Sequence, residues 1–184
     1  YEGATLNIGA FELSIYGGGT FSNTNPIQLN DDSSRLKLSG ISASYVRTSS
    51  DSLGVTIDNS SSVNEFTVGH LTPLSISANK SLGGAVDIYS KGHLQLNNSG
   101  TLVATVTIKG DAFGSGTVGG KIEVKETMTF SGPLQQTTDH NGLEIIIDSG
   151  KTLTYTGSVI NVGNHTLKLS GGGTLSNTNN LTID

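Results

Sequence analysis

Short strings of apolar–polar–apolar residues recur along the whole chain. They include Leu13-Ser-Ile15, Leu36-Lys-Leu38, Val55-Thr-Ile57, Leu74-Ser-Ile76, Leu94-Gln-Leu96, Ile122-Glu-Val124, Met128-Thr-Phe130, Leu153-Thr-Tyr155, Leu167-Lys-Leu169 and Leu181-Thr-Ile183. A period of two puts the first and third residues on one face of a strand and the second on the other, so each string predicts a short strand with one buried face. The first members of five strings, from Leu13 to Leu94, follow one another at steps of 23, 19, 19 and 20 residues. Further strings, Phe66-Thr-Val68 and Val86-Asp-Ile88, fall between them. Gly, Asn, Asp and Ser interrupt every few residues, which favours turns over helices.

A three-residue strand is not stable alone, and a β-sandwich needs longer strands joined by hairpins. Only Asn141-Gly142 carries the two-residue hairpin signature. Stacking solves the problem. If each coil lies about 4.8 Å above the last, every short strand pairs with its counterpart and the inward side chains form continuous columns. The pattern therefore predicts an all-β, right-handed parallel β-helix (β-solenoid) with about 19–23 residues per coil. Residues 1–184 form a single solenoid segment, read as part of a longer repeat-containing surface protein. About nine coils would give a rod of roughly 40 Å. Ile41–Ser52, Asp111–Gly120 and Pro133–Asn141 contain no obvious string and are assigned to turns or lateral loops. Leu13, Ile15, Leu74, Ile76, Leu167 and Leu169 are assigned to the core.

The chain also repeats at longer range. Leu6 to Asn30 aligns without a gap with Ile160 to Asp184, an offset of 154 residues (6 to 160). Asn7, Gly9, Leu13, Gly17, Gly18, Gly19, Thr20, Ser22, Asn23, Thr24 and Asn25 recur as identical residues. Leu6, Ile8, Ile15, Phe21, Ile27 and Leu29 recur as other apolar residues. That offset divides into about seven turns of ~22 residues.

Composition narrows the functional classes. Charged residues are 14% of the chain and the net charge is -5, without a basic run, which argues against a nucleic-acid partner. Cysteine is absent, which excludes disulfides and thiolate metal sites. No apolar stretch approaches the ~18–20 residues of a membrane helix, so no membrane insertion of this segment is expected.

The elements Gly17-Gly-Gly-Thr-Phe-Ser-Asn-Thr-Asn25 and Gly171-Gly-Gly-Thr-Leu-Ser-Asn-Thr-Asn179 resemble the Gly-Thr-Leu-x-Asn segments of bacterial autotransporter passengers. The short strings with Asn and Ser corners are similar to filamentous-haemagglutinin-like exoproteins. The resemblance implies secretion to the bacterial cell surface and a structural or adhesive (adhesin) stalk. It implies partners among host or cell-surface glycans and proteins, and neighbouring coils of the parent protein.

Polysaccharide lyases and tailspike glycosidases of similar architecture cluster carboxylates on one coil face, and Asp31, Asp32, Asp58, Asp87 and Asp148 are the candidates here. Asp is also a routine turn former, so corner roles are preferred. His70, His93, His140 and His165 lack metal-ligand spacing. Gly83-Gly-Ala-Val-Asp87 falls short of the repeat-in-toxin calcium nonapeptide. Gly114-Ser-Gly116 precedes no helix and does not form a nucleophile elbow. Thr105-Val-Thr107, Thr127-Met-Thr129 and Thr154-Tyr-Thr156 step by 22 and 27 residues, too irregular for an ice-binding array. The Asn-x-Ser/Thr acceptors at Asn59, Asn79, Asn97, Asn164 and Asn180 are read as chance. Phe11, Tyr16, Tyr45 and Tyr89 are the aromatics available to a glycan-binding surface. The sequence thus assigns no catalytic residue, cofactor or metal, and expects no enzyme. A carbohydrate-active β-helix and a non-catalytic glycan-binding surface are the alternatives.

Overall fold

The computed structural model describes residues 1–89, 92–97, 100–109, 120–136, 142–157, 159–162, 166–179 and 182–183. These form strands, turns and bends, with no helix among them. Every strand pairing is parallel, and each joins a strand to one about a coil further along the chain. Parallel pairing between such short strands forces a crossover after each, and repeated crossovers in one direction make a coil. The protein is a parallel β-solenoid.

Three faces surround one interior. On the first, seven successive pairings connect Glu12–Phe21, Arg35–Thr48, Gly54–Asn59, Leu71–Ile76, His93–Leu96, Lys121–Val124, Leu143–Ile147 and Leu167–Gly171. The second face stacks Phe21, Ala43, Val63 and Gly84, and beside them Ser61, Leu82, Leu102, Phe130, Tyr155 and Asn177. The third stacks Leu6 on Ile27, Val46, Phe66, Val86, Val106, Leu134 and Ile160. Seven pairings therefore span the first face and, with Ile183 stacked on Ile160, eight span the third, against about nine coils suggested by spacing alone. Coil-to-coil hydrogen bonds span 19 residues at Thr48–Thr67 and 28 at Gln95–Glu123. The longer coil contains the glycine-rich stretch after Lys109, and Asp111–Gly119 lies outside the described residues.

The inward columns are dry. Ile27, Leu29, Leu36, Leu38, Val46, Ile57, Phe66, Leu82 and Ile88 are all 0% exposed. Each such side chain contributes about 1.5–3 kcal/mol relative to exposure. Phe130 and Tyr155 meet edge to face, with ring centroids 5.3 Å apart, on adjacent coils of the second face. Leu74 and Ile76 are buried as assigned. Leu13, Ile15 and Leu167 pack against the core only in part, and Leu169 is 52% exposed. These four belong to the outermost rungs of the first face. Each is inward in phase but has a neighbouring rung on one side only.

Two of the segments assigned to loops contain core strands. Ile41, Ala43 and Val46 are buried within Arg35–Thr48. Leu134 is buried within Leu134–Gln136. One step of the stack also differs from the spacing: Leu74 pairs with Leu96, and Thr72 pairs with Leu94. A shift of two residues preserves the inward phase. It carries Thr72 into the interior, where its hydroxyl donates to Thr48 Oγ1 at 3.0 Å. Gly84, at the corner between the second and third faces, has φ +98, and a Cβ there would lie 1.9 Å from the Val63 carbonyl oxygen. Gly83–Val86 is thus a stacked corner leading into the core residue Val86.

Candidate functional surface

Residues between the inward positions point outward. Parallel stacking then aligns outward residues of successive coils in files about 4.8 Å apart. On the first face one file runs His93, Lys121, Glu144, Lys168, and its neighbour runs Gln95, Glu123, Ile146, Ser170. The result is a network of charge spanning four coils.

Glu123 is one hub, with its side chain 12% exposed. Gln95 Nε2 donates to it at 2.8 Å, and Lys125 Nζ forms an ion pair with it. His93 Nε2 approaches it at 2.9 Å but off the direction a hydrogen bond needs. Burial pushes the Glu123 carboxyl up. The hydrogen bonds from Lys125 and Gln95 outweigh that and hold it below its usual 4.5. Lys125 also reaches Asp148 on the next coil at 3.4 Å.

Glu144 is the second hub. It accepts from Lys168 Nζ at 2.8 Å and from Ser170 Oγ at 2.9 Å, and Lys121 Nζ lies 3.7 Å away. The bonds from Lys168 and Ser170 hold its carboxyl below 4.5. The same logic recurs elsewhere. Lys37 pairs with Asp58 at 2.8 Å, Lys151 with Glu126 at 2.6 Å, and Lys109 with the buried Asp87. The bond to Asp87 raises the Lys109 ammonium above 10.5, against the opposing effect of its own burial.

The five carboxylates singled out in the sequence do not converge. Asp31 caps a turn, accepting from the Ser33 amide at 2.9 Å, and Asp32 is exposed beside it. Asp58, Asp87 and Asp148 each pair with a lysine in a separate place. The carboxylates that gather the most partners, Glu123 and Glu144, were not among the candidates. Both occupy the middle of an apolar–polar–apolar string, Ile122-Glu-Val124 and Leu143-Glu-Ile145, which is the signal that could have drawn them out.

His70 lies 3.9 Å from Asp51, while His140 and His165 fall outside the described residues. Among the described residues no three His, Asp or Glu side chains gather as a metal would require. The Thr-x-Thr strings do not share a face. Thr105 and Thr107 stack on Ala85 and Asp87 of the third face, whereas Thr101, Thr129 and Thr154 stack in one file on the second. Among the aromatics, Phe11 and Tyr16 are 75% and 73% exposed on the first coil, and Tyr45 and Tyr89 are half-buried on later coils.

The Ser-Asn-Thr-Asn elements form coil-joining clamps. Asn23 is 5% exposed and engages the coil above through both ends of its amide. Its Oδ1 accepts from the amides of Ser44 at 3.1 Å and Tyr45 at 3.3 Å, and its Nδ2 donates to the carbonyls of Tyr45 at 2.7 Å and Asn25 at 2.9 Å. Asn25 Nδ2 donates to the Gly3 carbonyl below at 2.8 Å. The duplicated element does the same locally: Asn177 Nδ2 donates to Asn179 O at 2.7 Å, and Asn179 Nδ2 to Thr156 O at 2.8 Å.

No protein-family model, curated protein or solved structure matches the chain. The class it belongs to, a parallel β-solenoid, rests on its own strand register.

Proposed function

We propose that this chain is a structural or adhesive stalk segment, a rod whose outward groups mainly join coil to coil. The observation that carries this reading is where the charged side chains point. Lys37, Lys109, Lys121, Lys125, Lys151 and Lys168 all pair with carboxylates, most of them one coil away. Such pairs add a lateral network to the apolar columns. Secretion and display at a bacterial surface follow from the resemblance of the Gly-Gly-Gly-Thr-x-Ser-Asn-Thr-Asn elements.

The carbohydrate-active alternative is less favoured by the electrostatics. A glycosidase general acid needs a carboxyl that stays protonated near the working pH. Glu123 and Glu144, the most surrounded carboxylates, are shifted the other way. Pulling single molecules between their termini tests the stalk. Unravelling coil by coil should give contour-length steps of roughly 70 Å for a coil of about 21 residues. Extension without force peaks, or turnover of any substrate in a glycan panel, would overturn the reading.

A further inference from the structure

We infer that the second face of the solenoid carries an ice-binding surface, a grid of hydroxyls and methyls centred on Thr129 and Thr154. The face runs along the side of the rod, so the inference holds whatever stacks beyond the first or last coil. It is separate from the stalk reading, which gives this face no ligand.

Three files of outward residues lie side by side there. The central file is Thr101, Thr129, Thr154 and Ser176, one residue per coil. On one flank Thr174 stacks on Thr152, whose amide donates to Thr127 Oγ1 at 3.1 Å. On the other flank the amides of Ser131, Thr156 and Thr178 donate to the carbonyls of Leu102, Phe130 and Tyr155 at 2.9, 3.0 and 3.4 Å, so these three follow Val103 in one file. Every residue of the grid except Val103 carries a hydroxyl. Spacing along the chain hid this order, because the coils differ in length and the register between them absorbs the difference. Of the Thr-x-Thr strings, Thr105-Val-Thr107 is the one that sits on the third face instead.

Such a grid suits ordered water. Neighbouring hydroxyls lie about 4.8 Å apart along the rod and about 6.6 Å apart along each strand. The oxygen rows on a prism face of hexagonal ice repeat at close to these two distances. A hydroxyl both donates and accepts, as water does. The β-branched Thr side chain is confined to few rotamers, so hydroxyl and methyl keep their spacing. A charged group would hold water in a shell of its own, and none of the three files contains one. The Glu126–Lys151 pair marks the edge of the grid, one residue before Thr127 and Thr152. Other partners are less well served. The rings within these coils of the face, Phe130 and Tyr155, are buried and offer a sugar nothing to stack on. The whole second face covers about 34 by 13 Å, or about 450 Å², well under the ~800 Å² per partner of a stable protein complex. Ice sets no such minimum, because the water that freezes onto the face is the ligand and is already in place.

The test is ice growth in a solution of the chain. A seed crystal should stop growing over an interval below its melting point and become faceted, and fluorescently labelled chain should adsorb to the prism planes of a single ice crystal. Thr129→Arg combined with Thr154→Arg puts two long cations in the middle of the grid. It should abolish the interval while leaving the circular dichroism spectrum unchanged. Ser75→Arg, between the buried Leu74 and Ile76 on the first face, should keep the interval. If the double variant does not fold, Thr129→Lys alone, at a half-buried position, gives the same readout. Freezing of the parent without an interval overturns the inference, and so does an interval that survives substitution at Thr129. Sedimentation as a dimer that the same substitution dissociates also overturns it, since the face would then belong to a second copy of the chain.

Discussion

The Asn23 side chain brackets the backbone of Tyr45, accepting from its amide at 3.3 Å and donating to its carbonyl at 2.7 Å, across 22 residues of chain. One side chain thus ties two coils at a corner where the regular ladder is interrupted. Removing it leaves the Ser44 and Tyr45 amides and the Tyr45 carbonyl without that partner in a part-buried setting. Asn23→Ala should cost about 2–3 kcal/mol, since unmet buried groups bear a desolvation cost. Asn177→Ala should cost no more than about 0.5 kcal/mol, the range of surface substitutions. Chemical denaturation of both variants checks this, and equal losses would refute the clamp.

Ile76 and Leu169 occupy equivalent positions in their strings and differ in coverage. Ile76 is 2% exposed between rungs, and Leu169 is 52% exposed. Ile76→Asp buries an unpaired charge and should prevent folding. Leu169→Asp keeps its carboxylate in water and should lower stability by about 1 kcal/mol or less. Circular dichroism melts decide the matter. A cooperative, parent-like melt for Ile76→Asp would show the inward assignment to be wrong.

The electrostatic network sets the pH response. Glu123 and Glu144 titrate below 4.5 in the folded chain and near 4.5 when unfolded. Their contribution is complete above that value and is lost as pH falls through the depressed folded values. Lys109 titrates above 10.5 when folded, so its contribution is complete below 10.5 and is lost as pH rises through the raised value. The melting temperature should be flat near neutrality and fall below about pH 4.5. Glu123→Gln should cost about 1–2 kcal/mol at neutral pH, as hydrogen bonds to charged groups do. It should also make the acid limb shallower. Melts across pH in parent and variant read both effects, and an acid limb of unchanged slope would remove Glu123 from the account.

Much of this architecture could be read from local patterning, because a strand with one wet face announces itself in triplets. Leu13, Leu36, Val55 and Leu74 stack as their spacing suggested. Where patterning failed, the reasons are specific. Ile41, Ala43 and Val46 were missed because Ala43 is small and because the step from Ala43 to Val46 is three residues, a change of phase at a corner. Leu134 was missed because Gln136 ends its string with a polar residue. Thr72 was missed because an interior hydroxyl needs a partner, here Thr48, that local sequence does not display. The Glu123 hub required knowing that Gln95 lies below it despite a coil of 28 residues, and spacing rules built on shorter coils do not give that register.

Gly54 and Gly18 separate a glycine that is required from one that is replaceable. Gly54 has φ +89, and a Cβ there would lie 1.8 Å from the Pro73 carbonyl oxygen on the next coil. The side chain would meet fixed backbone, and an L-residue would also be strained at that φ. Relief would require Pro73 to move away and open the ladder between Gly54–Asn59 and Leu71–Ile76, which holds Val55 against Leu74. Gly18 is exposed, and a Cβ there meets nothing within 4 Å. Gly54→Ala should destabilise by more than about 3 kcal/mol, the range reserved for strain combined with a core disruption. Gly18→Ala should leave stability within about 0.5 kcal/mol of the parent. Both variants can be compared by denaturant midpoint under one set of conditions. A Gly54→Ala chain that unfolds at the parent's midpoint would mean that these two coils do not approach as closely as the stacking requires.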